Sequence, residues 1–207
     1  MTKRLRSCWP ASVGCRATVL ACLILWLVGP PAGAAPTSGM SELDGVAMPT
    51  ERQAAGLALR LNGMGLRTYS VFHVHVYVAG LYLEQPSGDA ETILRSDSAK
   101  LMMIEFVHDV TTAQARKAWA TGLADNCRAP CHLPEDEIAR FLAAVPEFHR
   151  GDTSTLLFVG QTVQIEVNGH VLGTVGDPAF SRTILATFIG PFPPSETFKR
   201  GLLGRRD

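Results

Sequence analysis

The alternating run from Thr68 to Leu83 constrains the fold of this chain more than any other feature. Side chains on a strand point to opposite faces in turn. Phe72, Val74, Val76 and Val78 therefore share one face, and Tyr69, Val71, His73, His75, Tyr77 and Ala79 share the other. Ahead of it, Leu57 to Asn62 alternates as a shorter strand, and Gly63-Met64-Gly65 reads as the turn between the two. Arg67 stands between that turn and the long strand. A guanidinium keeps its charge and is costly to bury without an anionic or hydrogen-bonding partner. An Arg67 that points into the fold would be a receptor for a carboxylate or an enolate-like oxygen.

The remaining signals come in blocks. Asp89 to Ser96 reads as a short helix and Lys100 to Val107 as a strand. A helix from Thr112 to Ala124 follows, capped at Thr111 or Thr112, with Ala115, Trp119 and Leu123 on one face. Pro134 opens a second helix with the stripe Ile138, Phe141, Leu142 and Val145. Strands are predicted at Thr155–Val159 and Thr162–Val167, then an Asn168-Gly169 hairpin turn and a return strand, His170–Val175. Asp177-Pro178 caps a helix to Ile189, Pro191 to Pro194 breaks it, and a short helix ends near Leu203-Gly204. Strands and helices do not alternate as βαβ units. The expected fold is α+β: one antiparallel β-sheet with helices layered on one face.

The first residues carry a different message. Lys3, Arg4, Arg6 and Arg16 precede an apolar run, Thr18 to Val28, which Gly29-Pro30-Pro31 closes before the small-residue site Ala32-Gly33-Ala34. That order matches a secretory signal peptide cleaved after Ala34, residues 1–34. The run is shorter than the roughly 20 residues a spanning helix needs, although an uncleaved anchor is the alternative. Residues 35–45 read as a flexible entry, 46–204 as one domain and 205–207 as a tail. The predicted location is the periplasm, with no stable membrane anchor after cleavage. Cleavage removes four of the 19 basic residues and none of the 19 acidic ones, so the remaining chain is net acidic. It has no basic stripe with interleaved aromatics, which argues against nucleic acid as a partner. No signal for an oligomeric state is present.

Export changes the meaning of the cysteines. Cys8, Cys15 and Cys22 leave with the leader, and Cys127 and Cys131 remain. In an oxidising compartment they are most simply a local disulfide. A redox or metal pair aided by His132 is the alternative, but the three-residue spacing fits neither Cys-x-x-Cys nor a four-ligand zinc site. His73 and His75 share a strand face without a nearby acid or cysteine to complete a metal site, and Glu105-x-x-His108 lies on a strand end rather than a helix. No metal and no cofactor are expected. Gly-x-Ser-x-Gly, P-loop and dinucleotide motifs are absent.

Four pieces in order carry a family resemblance: Asn62-Gly-Met-Gly-Leu-Arg67, Tyr77-Val-Ala-Gly-Leu-Tyr-Leu-Glu84, Asn168-Gly169 with Gly173, and Thr187-Phe-Ile-Gly190 with Lys199-Arg-Gly-Leu-Leu-Gly204. Together, over Val46 to Gly204, the chain resembles the chalcone isomerase fold and its bacterial secreted, chalcone isomerase-like branch. The resemblance implies that Arg67 is the counterpart of an arginine that stabilises a developing enolate during flavanone ring closure. It implies that Thr187 is a substrate-contacting threonine. Lys117 matches a lysine of the family site. The family's strand threonine is replaced by Tyr77, and its tyrosine and asparagine by Gln114 and Thr121, so chalcone cyclisation is not expected.

Non-catalytic relatives of the fold bind fatty acids, with an arginine and a tyrosine receiving the carboxylate. This chain resembles them at Arg67 and Tyr77. The expected function is binding of a small amphipathic carboxylate such as a fatty acid in an apolar cleft, with Arg67, Tyr77 and Thr187 as contacts. A guanidinium takes a carboxylate in a charge-assisted pair, and a phenol adds one donor. Two alternatives remain. One is an intramolecular lyase of the isomerase class acting on an unknown enone through Arg67, Thr187 and Lys117. The other is a ligand-free structural or partner-binding protein, in which Arg67 would bridge to Glu84 or Asp89.

Overall fold

A computed structural model describes residues 39–205. The proposed leader and the last two residues of the proposed tail lie outside them. Seven strands form one antiparallel sheet in sequence order: β3 (Glu51–Ala54), β4 (Leu57–Tyr69), β5 (Val74–Leu83), β6 (Lys100–Phe106), β7 (Thr153–Val159), β8 (Thr162–Val167) and β9 (His170–Val175). A separate hairpin, β1 (Met40–Leu43) and β2 (Val46–Pro49), precedes it. The stretch expected to be a flexible entry, 35–45, therefore contains a paired strand. It turns at Asp44-Gly45, both at positive φ, a dipeptide that favours hairpins.

Among the described residues, five helices accompany the sheet: α1 (Ala90–Arg95), α2 (Thr112–Asn126), α3 (Glu135–Ala144), α4 (Pro178–Ile189) and α5 (Glu196–Leu202). Their starts are legible in the residues. Thr111 forms a capping box with Gln114 at α2, and the Asp177 carboxylate accepts from the Phe180 N–H ahead of Pro178 at α4. The main core lies between helices and sheet. Ala79, Leu81 and Leu83 of β5, with Met102 and Ile104 of β6, pack there against Phe180, Ile184, Phe188 and Phe198. Val78 points the opposite way and meets Val46 and Met48 of the first hairpin. The period-two alternation of β5 thus feeds two cores.

The Gly63-Met64-Gly65 segment is not a turn. β4 runs through it without interruption, and the chain reverses instead at residues 70–73, with Ser70 and His73 at positive φ. Gly63, Gly65 and Arg67 lie on the helix face, opposite Leu81, Ala79 and Tyr77. The glycines admit α5: a Cβ on Gly63 would run into the Gly201 carbonyl, and one on Gly65 would lie 2.6 Å from the Phe198 carbonyl oxygen. Their missing side chains serve close approach of backbone to backbone rather than a bend.

Candidate functional site

Arg67 and Tyr77 are direct cross-strand partners on β4 and β5, so their side chains leave the sheet on the same face. Arg67 is half-buried. Its Nη1 donates to its neighbour Thr68 O at 2.7 Å and, more weakly, to Pro194 O at 3.4 Å in the loop between α4 and α5. Both acceptors are neutral carbonyls, which leave the guanidinium charge uncompensated and most of its five N–H donors available. The bridge to Glu84 or Asp89 does not form. Glu84 accepts from the Ala99 N–H, and Asp89 caps α1.

Tyr77 sits among aromatic rings. Its centroid is 5.6 Å from Phe106 and 5.9 Å from Phe198, both edge-on. Burial pushes the phenol up to about 12, and the Arg67 cation pulls it partly back. At neutral pH the hydroxyl is therefore a proton donor beside a cation, which suits an anionic acceptor.

Thr187 is buried, its hydroxyl donates to Ile184 O at 2.7 Å, and its methyl lies where a Cβ on Gly122 would touch it at 3.2 Å. It seals the α2–α4 contact. Lys117 is exposed on α2. Gln114 is engaged in the capping box, and Thr121 is exposed. Cys127 and Cys131 form a disulfide with Cα atoms 5.1 Å apart. His73 lies in the turn, and His75 pairs with Asp44 at 2.9 Å. Among the described residues no cluster of three or more metal-ligating side chains occurs, and no helix is long and apolar enough to cross a membrane.

Two cavities are lined by other residues. One, of about 320 Å³, lies between α3 and strands β7 to β9; the other, of about 330 Å³, lies beside α1 and α5. The first contains a residue that the sequence reading passed over, Glu137. The available signal was Pro134 three positions earlier. Glutamate at the third position of a helix commonly reaches back to the cap's N–H, and proline has none.

The sequence model of a family described as "Chalcone isomerase-like" matches residues 40–204. No curated protein matches. Among solved structures, a fatty-acid binding protein of Arabidopsis thaliana superposes with a TM-score of 0.67 at 17% identity, covering 81% of this chain and 96% of that one.

Proposed function

Because this chain belongs to the chalcone isomerase-like family, we propose that it binds a small amphipathic carboxylate, a fatty acid in the simplest case, with the head group on Arg67 and Tyr77. The observation that carries the reading is the cross-strand pair itself: a half-buried guanidinium held only by carbonyls, facing a protonated phenol. A carboxylate replaces the weak Pro194 contact with a charge-assisted pair and takes the phenol proton in a second hydrogen bond. The rings of Phe106 and Phe198 offer apolar surface to the start of the chain. Each methylene removed from water adds roughly 0.8 kcal/mol, so the tail supplies much of the affinity. The neighbour from Arabidopsis, described as a fatty-acid binding protein, supports the same ligand class.

The lyase reading has less support. Lys117 faces solvent, and the Thr187 hydroxyl is spent within its own helix. We place the protein in the periplasm on the strength of its basic-apolar-small leader, and the Cys127–Cys131 disulfide fits an oxidising compartment.

Calorimetric titration of the full chain with decanoate tests the binding reading. One site is expected. Arg67→Ala should weaken it roughly 10- to 100-fold, the worth of a hydrogen bond to a charged group, and Tyr77→Phe by less. No binding, or equal binding by Arg67→Ala, would remove the proposal.

A further inference from the structure

The cavity between α3 and the β9 edge of the sheet has a composition unlike that of the Arg67 site. Its lining includes Trp119, Phe141, Phe148 and Leu156. Trp119 and Phe141 meet edge to face at 5.0 Å, so the aromatic wall is firmly packed. Glu137 completes it. That carboxylate has one oxygen, Oε2, shut off from solvent with no hydrogen-bond partner. Arg140 also lines the cavity; its Nη1 pairs with Asp136 at 2.7 Å, and no hydrogen bond joins it to Oε2. The proline at the cap denies Glu137 the backbone N–H that a glutamate at this helix position would otherwise find.

We propose that this cavity is a second binding site, for a small organic amine. A carboxylate oxygen without a hydrogen-bond partner in a largely apolar wall is costly, and a donor cation beside the carboxylate offsets that cost. Aromatic faces attract ammonium groups through the ring quadrupole, tryptophan most strongly. The same carboxylate repels an acid, so the site discriminates against the ligand class assigned to Arg67. At about 320 Å³ the cavity is at the small end of the range for ligand pockets. Its rim runs along the exposed stretch of β9. There Gly173, register partner of the cavity-lining Ile165, has open space where a side chain would stand.

Titration of the full chain with n-hexylamine, n-hexanol and hexanoate, followed by calorimetry, tests the proposal. Hexylamine should bind at one site and hexanol at least about tenfold more weakly; in Arg67→Ala, where the carboxylate site is removed, hexanoate should also bind at least about tenfold more weakly than hexylamine. Glu137→Gln, which keeps the shape and removes the charge, should weaken hexylamine about tenfold or more. Gly173→Leu should block it by filling the rim. Arg67→Ala should leave it unchanged, so this site and the carboxylate site fail separately. No heat from hexylamine at millimolar concentration, equal binding of hexanol, or full affinity in a folded Glu137→Gln would each overturn the proposal.

Discussion

Arg67 and Tyr77 stand opposite each other in the β4–β5 ladder, and the next pair along, Thr68 with His75, is out of step by one residue. The irregularity follows immediately after the pair. Beyond it the chain passes into the exposed turn that carries Val71 and Phe72, each 85% exposed. The cation and the phenol therefore mark the last regular rung on the helix side of the sheet. Phe198 of α5 closes one flank and Phe106 of β6 the other.

Replacing Arg67 by leucine should separate binding from stability. No acid pairs with this guanidinium among the described residues, so its removal breaks no buried ion pair. Urea unfolding of Arg67→Leu should stay within about 0.5 kcal/mol of the parent, the usual span for a side chain without such ties. Decanoate binding should weaken by about the same factor as in Arg67→Ala, roughly 10- to 100-fold. A large stability loss would show that the arginine is a structural strut.

High pH should weaken the fold through two tyrosines. Burial raises both Tyr77 and Tyr82 to about 12, and Tyr82 also donates to Pro49 O at 2.8 Å. Above the ordinary value of 10 the unfolded chain loses these protons while the folded chain keeps them. Stability is therefore fully present below pH 10 and falls as pH rises towards 12, by at most about 1.4 kcal/mol per pH unit for each phenol. Denaturant midpoints between pH 9 and 12 measure the slope, and Tyr77→Phe should make it shallower.

Glycines of the same type should respond in opposite ways. Gly65→Ala forces a methyl against the Phe198 backbone and ring, and overpacking of this kind costs about 1–3 kcal/mol or more. In a chain of this size that lowers Tm by roughly 2–12 °C. Gly173→Ala meets open space and should leave Tm unchanged or slightly raised. Equal effects at the two positions would contradict the packing described for α5.

Breaking the disulfide should be mild. It closes a loop with a sequence separation of four, and chain entropy assigns such a short loop about 2 kcal/mol. The double variant Cys127→Ser with Cys131→Ser should melt roughly 4–8 °C lower and still fold. Complete failure to fold would show that the bridge organises more than its own loop.

Much of this architecture is legible in the residues, for physical reasons that differ by element. The caps at Thr111 and Asp177 and the Asn168-Gly169 hairpin are local, and local chemistry decides them. The alternation of β5 locates Tyr77 on the face it shares with Arg67. The role of Gly63 and Gly65 is not legible in this way. A glycine looks the same in a turn and under a closely packed helix, and only the arrival of α5, more than a hundred residues later, decides between them. The real reversal at residues 70–73 contains neither glycine nor proline, so it carries no breaker signal. The Asp44-Gly45 reversal falls within the stretch expected to be a flexible entry, and the Ala55-Gly56 reversal carries no strong hairpin dipeptide. Sequence matching to a catalytic family put Thr187 and Lys117 beside Arg67 in expectation. Helix rotation decides where side chains point, and it directs one into the α2–α4 contact and the other into solvent.

The seating of α5 on two side-chain-free positions of β4 also sets an order of events during synthesis. The chain leaves the ribosome from its N-terminus, so the strands bearing the cation and the phenol emerge long before Phe198. Until those final turns arrive, the Tyr77 ring lacks the edge-on partner that Phe198 supplies. The flank of Tyr77 that Phe198 covers is thus finished last, and a message truncated before Ser195 would encode every strand of the sheet without it.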